Sequence, residues 1–252
     1  MKIYKIAKTS NFQNLLQRAS DAFDQNFNEN GDFYFQIKPL DIEKNCGSIW
    51  VDVRGLNPSH LVENEHNKIN SCGNFDIIVK RRNEPVKIGN GRYNDPELRD
   101  KDELKGEFLH EITHVSQEIN GFIEHEYTRH KNEFGIQPQY ERGYYNDNHD
   151  QYKTEQEASF TQLCHLIKTS TIKGVNYLLT DRGVYEGLLH ISSFKEFAKK
   201  AYSLGVSGDK IAEFIKLLGE KAKSDYKFRD TKVKSVIIEF VEKMNKTRQE
   251  LA

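Results

Sequence analysis

The chain has 252 residues, of which 37% are hydrophobic and 30% charged, a composition typical of a polar but globular protein. Lys and Arg (37) nearly balance Asp and Glu (38), so a net charge of -1 creates no global field that would attract nucleic acid or anionic lipid. No window approaches the roughly 18 apolar residues of a membrane span, and the first residues lack the apolar core of a signal peptide. We therefore expect a cytoplasmic protein with no nucleic-acid or membrane partner, of an oligomeric state that the sequence leaves open.

The three cysteines, Cys46, Cys72 and Cys164, are odd in number, widely spaced and free of any CxxC pattern. Such a set indicates neither a disulfide framework nor a thiolate zinc site, so we interpret them as reduced thiols. Any metal in this chain would then be bound by His and carboxylate side chains.

The first half of the chain contains both helix-forming and strand-forming patterns. Apolar residues at helical spacing predict an amphipathic helix over 11–25. Three β-leaning runs follow, at 33–37, 48–53 and 75–79, and we expect them to pair as a small sheet. The polar segment 83–102 reads as a loop that leads into a helix beginning near Asp102, which Gly121 would end.

The second half is predominantly helical in pattern. Residues 121–153 are rich in Tyr, His, Asn and Asp and show little periodicity, as in a functional loop over a cleft. Beyond them, apolar residues recur every three or four positions at 154–179, 194–203, 209–223 and 232–249. These four segments predict an α-helical C-terminal region.

The helix that begins near Asp102 contains the motif His110-Glu111-Ile112-Thr113-His114. Two His residues four positions apart project from one face of a helix about one turn apart, so a single zinc ion can contact both imidazoles. The Glu that follows the first His lies beside that face, where it can accept a proton from a water that attacks a carbonyl. The motif therefore predicts His110 and His114 as metal ligands and Glu111 as the general base.

The position of the motif on its helix argues against two core histidines. At about 100° per residue, both imidazoles lie opposite the apolar side of the helix. The residues on that apolar side are Leu104, Phe108, Ile112, Val115 and Ile119. The remaining alternative is a solvated polar face that matches the motif by chance.

A catalytic zinc needs a third protein ligand and one open position. The extended pattern HExxHxxGxxH is absent, because Gln117 and Asn120 stand where its Gly and third His would be. Downstream, residues 154–159 resemble the segment by which gluzincins present their third ligand, and Glu157, directly before Ala158, is the matching position. Glu157 also shares a predicted helix face with Cys164 and Ile167 and is expected to point inward. Glu157 could instead close a capping box with Thr154, or a loop histidine could supply the ligand. The loop histidines are His125, His130 and His149.

Residues 106–117, together with Glu157 and Ala158, resemble the active-site helix and the ligand helix of gluzincin metallopeptidases. The resemblance covers only these two short segments. It implies an α+β fold in which a zincin-like core, a small mixed sheet packed on the active-site helix, occupies 1–168 together with the N-terminal helix. An α-helical subdomain would follow over 169–252, and the run 75–80 is the candidate edge strand for binding an extended peptide.

The resemblance also implies a Tyr or His that stabilises the oxyanion. Tyr144 and Tyr145 are favoured because they lie between the two ligand segments, but the sequence does not choose among six residues. These are Tyr140, Tyr144, Tyr145, Tyr152, His149 and His190.

The function that follows is a zinc-dependent metallopeptidase that hydrolyses peptide bonds in a peptide or protein substrate. Zinc would lower the pKa of its water toward roughly 7, and Glu111 would take the proton and pass it to the leaving amine. The main alternative is a catalytically inactive zincin-fold interaction or regulatory protein. A DNA-binding regulator is disfavoured because the Lys residues of 207–250 are interspersed with Glu and Asp.

Overall fold

The structure is a computed structural model of the chain. It describes residues 3–7, 10–27, 33–38, 48–54, 61–62, 74–80, 86–88, 92–94, 100–120, 153–180, 193–224 and 231–250. Side chains are described mainly in the helices, at 10–27, 100–117, 156–179, 193–224 and 237–246.

Seven α-helices occupy most of the described residues. They are α1 (Phe12–Asn26), α2 (Lys101–Ile119), α3 (Lys153–Thr169), α4 (Thr171–Thr180), α5 (Phe194–Ser203), α6 (Gly208–Lys223) and α7 (Thr231–Glu250). The predicted helices are confirmed to within about two residues, except that the segment 154–179 divides into α3 and α4 around Ser170.

Short polar side chains fix where several helices begin. Asn11 Oδ1 accepts a hydrogen bond from the backbone N–H of Asn14 at 2.9 Å. Ser193 Oγ accepts a hydrogen bond from the backbone N–H of Glu196 at 3.2 Å. At α2, two reciprocal hydrogen bonds of 3.1 Å form. The backbone N–H of Glu103 donates to Asp100 Oδ1, and the backbone N–H of Asp100 donates to Glu103 Oε2. This reciprocal capping box satisfies N–H groups that the first turn leaves without a helical partner.

The chain divides into two compact units, Met1–Asn146 and Asp147–Ala252. The predicted boundary was after residue 168, which would have placed α3 with the His-Glu motif. In the structure, α3 belongs to the second unit.

Phenylalanine rings form the centre of the described core of the first unit. The Phe108 ring of α2 lies 4.5 Å from that of Phe35 and 5.4 Å from that of Phe23 of α1, measured between ring centroids. The three side chains are at most 1% exposed. Because buried aromatic side chains each remove a large apolar area from water, this cluster fixes one side of α2.

A second core lies among the helices of the C-terminal unit. Phe197 of α5 stacks on Phe214 of α6 at 6.1 Å and meets Phe240 of α7 edge-on at 5.9 Å. Leu163 of α3 and Leu178 of α4 are fully buried in the same cluster. Apolar residues repeat at helical spacing in each of these helices, so their buried faces cover one another.

The described residues of the first unit also form seven short strands. They are β1 (Ile3–Ala7), β2 (Phe33–Lys38), β3 (Ser48–Arg54), β4 (Leu61–Val62), β5 (Asn74–Lys80), β6 (Val86–Ile88) and β7 (Arg92–Asn94). β5 pairs with β2 on one side and with β3 on the other, so the run 75–80 is not the edge strand that we predicted. Only Ile6 and Phe35 of these strands have described side chains.

The predicted fold class is wrong for the part of the chain that is described with its side chains. That part is 87% helical, which does not support an α+β fold built on a zincin-like mixed sheet. In that part, the cores form mainly where the apolar faces of helices cover one another, together with the described strand residues Ile6 and Phe35. We therefore describe this part of the protein as mainly α-helical.

Among the described residues, no helix has the length and apolar character needed to cross a membrane.

Candidate metal centre

The His-Glu motif lies in the middle of α2, and its surroundings are more buried than the sequence indicated. His110 is half-buried, whereas Glu111 and His114 are only 4% and 6% exposed. Phe108 and Ile112, on the apolar side of the same helix, are fully buried. The structure therefore does not support the alternative of a solvated polar face, because every side chain of 111–117 is buried.

Both imidazoles turn toward the same point. His110 Nε2 and His114 Nε2 lie 3.1 Å apart, and the two rings meet edge-on with centroids 4.9 Å apart. Two nitrogen ligands at about 2.0–2.1 Å from a tetrahedral zinc are separated by roughly 3.4 Å. The pair therefore fits a shared zinc ion with a displacement of a few tenths of an ångström.

A third side chain of α2 contacts this pair. His114 Nδ1 lies 2.9 Å from Gln117 Oε1, and both side chains are buried. Since a carbonyl oxygen can only accept, Nδ1 carries the proton in this hydrogen bond. The Nε2 atom of neutral His114 then presents its lone pair toward His110, as a metal ligand must.

Glu111 supplies the acidic group of the motif. Its Oε2 atom is buried and makes no hydrogen bond with any part of the chain that the structure describes. Leaving a buried carboxylate oxygen without a donor is costly, so such an atom indicates a position where a water, a substrate group or a proton is received. The burial of Glu111 is thus compatible with a general base.

The third ligand is not assembled among the described residues. They contain no cluster of three or more His, Cys, Asp or Glu side chains arranged to bind a metal ion. The expectation that Glu157 points inward is wrong, because its side chain on α3 is exposed, while Ala158 next to it is fully buried. Because α3 begins at Lys153, Thr154 lies within the helix and is not its N-cap.

Tyr144 and Tyr145, the favoured oxyanion-stabilising residues, lie outside the described residues. The same holds for the other candidates for that role and for the three loop histidines that could replace Glu157. These are Tyr140, Tyr152, His149, His190, His125 and His130.

Gln117 is a residue of this site that the sequence motif does not reveal. It stands where the HExxHxxGxxH pattern has Gly, so the pattern gives it no role. The signal that could have identified it is its spacing of three from His114, which places the two side chains on one face.

No family model, curated protein or solved structure gives a significant match to this chain.

Proposed function

We propose that this protein is a zinc-dependent metallopeptidase in which His110 and His114 bind the metal and Glu111 acts as general base. The observation that carries the proposal is the 3.1 Å separation of the two Nε2 atoms on a buried helix face. The resemblance of residues 106–117 to a gluzincin active-site helix supports the same conclusion.

The donor set is suited to zinc, which binds neutral imidazole nitrogen and carboxylate oxygen. Cys164, the cysteine whose side chain is described, is buried in the core of the C-terminal unit. Glu157 is proposed as the third ligand from its sequence context next to Ala158, with His125, His130 and His149 as the alternatives.

The chemistry follows from the properties of these side chains. A bound zinc ion would supply Lewis acidity that makes water a nucleophile near neutral pH. The Glu111 carboxylate would accept a proton from the attacking water and donate it to the departing amine nitrogen. Burial of Glu111 excludes bulk water that would otherwise compete for that proton.

The test is the zinc content of the purified full-length protein, measured by plasma mass spectrometry. We expect one zinc per chain in the wild type and loss of zinc in His114→Ala. His165→Ala is the matched control, because His165 is a half-buried helical histidine of α3 outside the motif, and it should retain zinc. Absence of zinc from the wild type after reconstitution would overturn the proposal.

The third ligand is tested separately with Glu157→Ala. Loss or strong weakening of zinc binding is expected, whereas wild-type affinity in this variant would transfer the role to one of the three loop histidines. Zinc retained without hydrolysis of any peptide in a diverse substrate mixture would favour the alternative of a catalytically inactive zincin-type interaction protein.

A further inference from the structure

We infer that Gln117 is a positioning residue of the metal site, which holds His114 in the tautomer that binds zinc. This inference rests on the proposed function, because a positioning role requires that His114 bind a metal. Nothing in the sequence pattern assigns a role to Gln117, and it stands where a related pattern has glycine.

The first step of the argument is the geometry of the contact. Gln117 Oε1 lies 2.9 Å from His114 Nδ1, which is the ordinary length of a strong N–H···O hydrogen bond. The two residues are three positions apart on α2, so the rigid helix backbone fixes the distance between their Cβ atoms.

The second step is burial. Gln117 and His114 are 4% and 6% exposed, so water competes poorly for either partner. Leaving a buried hydrogen-bonding atom without its partner is unfavourable, so the tautomer with the proton on Nδ1 is favoured.

The third step concerns His110. With its proton on Nδ1, His114 can only accept at Nε2, so in the metal-free protein His110 Nε2 is the donor across the 3.1 Å contact. For Nε2 of neutral His110 to serve as a metal ligand, its proton would have to move to Nδ1, whereas His114 already carries its proton there. Because of Gln117, His114 needs no change of tautomer before it can bind a metal, whereas His110 does.

Outer partners of this kind typically contribute 10–100-fold to metal affinity. We expect Gln117→Met, which keeps the length of the side chain but removes the acceptor, to weaken zinc binding by about 10–100-fold. Gln117→Glu retains an acceptor oxygen at the same position and should bind zinc at least as tightly as the wild type.

Two measurements on the full-length protein test the inference. Zinc affinity is obtained by competition with a chromogenic chelator for the wild type, Gln117→Met, Gln117→Glu and the control Ser116→Ala. Ser116 is an equally buried neighbour on α2 whose hydroxyl lies near Asn120, so its truncation should leave zinc affinity unchanged. If Gln117→Met and Ser116→Ala weakened zinc binding to a similar extent, the cause would be a general disturbance of the helix, and the inference would be overturned.

The second measurement reads the tautomer directly in zinc-free protein by nitrogen-15 NMR of the imidazole rings near pH 8. The wild type and Gln117→Glu should show His114 protonated at Nδ1, and Gln117→Met should shift the population toward protonation at Nε2. An unchanged His114 tautomer in Gln117→Met would overturn the inference even if zinc binds. Because this readout needs no metal, a wild type that binds no zinc would refute the proposed function separately.

Discussion

The Lys105 amine lies 2.5 Å from the Asp24 carboxylate, and this ion pair connects α2, which carries the His-Glu motif, to α1. The Lys105 side chain is 10% exposed, whereas that of Asp24 is 46% exposed and also contacts Lys101 at 3.2 Å. A largely buried ammonium group is stable only beside a partner of opposite charge, and Asp24 is that partner for Lys105.

We expect Asp24→Asn to lower the free energy of unfolding by about 1 kcal/mol at pH 7, a value reduced because Asp24 is half exposed. Burial alone would raise the pKa of the Asp24 carboxyl. The hydrogen bonds and positive charges of Lys105 and Lys101 outweigh this effect of burial, so the pKa of Asp24 is lowered from 3.8. A depressed pKa stabilises the fold above the unfolded-state pKa, and this stability is lost as the pH falls through the folded-state pKa. Urea titrations of both proteins should therefore differ at pH 7, and the difference should shrink as the pH falls below 3.8 and through the lower folded-state pKa of Asp24. A difference independent of pH would contradict the ion-pair account.

Glu111→Gln should abolish peptide hydrolysis while zinc remains bound. The amide keeps the shape of the buried side chain but cannot accept the proton of the attacking water, so a loss of at least 100-fold in kcat is expected. Glu103→Gln provides the control, since Glu103 is an acidic residue of the first turn of α2. Full hydrolytic activity in zinc-loaded Glu111→Gln would exclude Glu111 as the base.

Replacement of Gly174 by Ala should destabilise the protein, although Ala is normally preferred over Gly within a helix by about 1 kcal/mol. A Cβ at this position of α4 would lie 2.6 Å from Ile167 Cγ1 and 3.2 Å from its backbone nitrogen, so α3 and α4 would have to separate. We expect a net loss of about 1–3 kcal/mol in the free energy of unfolding.

Gly208→Ala is the matched control for that change. Its new Cβ would meet only the phenol end of Tyr202, at 2.7 Å, and the exposed Tyr202 side chain can turn away. Equal thermal stability of Gly174→Ala and Gly208→Ala would show that α3 and α4 do not approach as closely as described.

The Cys164 thiol should be unreactive in the folded protein. It is 1% exposed, and burial raises its pKa, so the nucleophilic thiolate is suppressed. In a Cys46→Ser, Cys72→Ser double variant, Ellman's reagent should detect no thiol in the native state and one after denaturation in guanidinium. Rapid native reaction would mean that the core of the C-terminal unit opens readily.

The sequence predicted the helices well because each has a strong local signal. Ser193 and Ser207 stand immediately before α5 and α6 and cap them, and apolar residues repeat every three or four positions inside. The break at Ser170 was not predicted, since the apolar pattern continues from α3 into α4. The structure shows two helices that approach closely where Gly174 meets Ile167.

The class of fold was predicted incorrectly for a different reason. The β-leaning runs and the gluzincin resemblance together suggested a sheet-centred core, but the core side chains that are described belong mainly to helices. β-propensity reflects how a side chain fits a half-buried pleated surface and does not determine which surfaces form the core.

The sequence by itself determined the spacing of His110 and His114, because four residues on any α-helix bring two side chains to one face. Only the tertiary structure decided that this face is buried, that the two Nε2 atoms lie 3.1 Å apart, and that Gln117 contacts His114. Burial depends on which other segments cover the helix, and rotamers depend on packing against them, so neither follows from the periodicity of one segment.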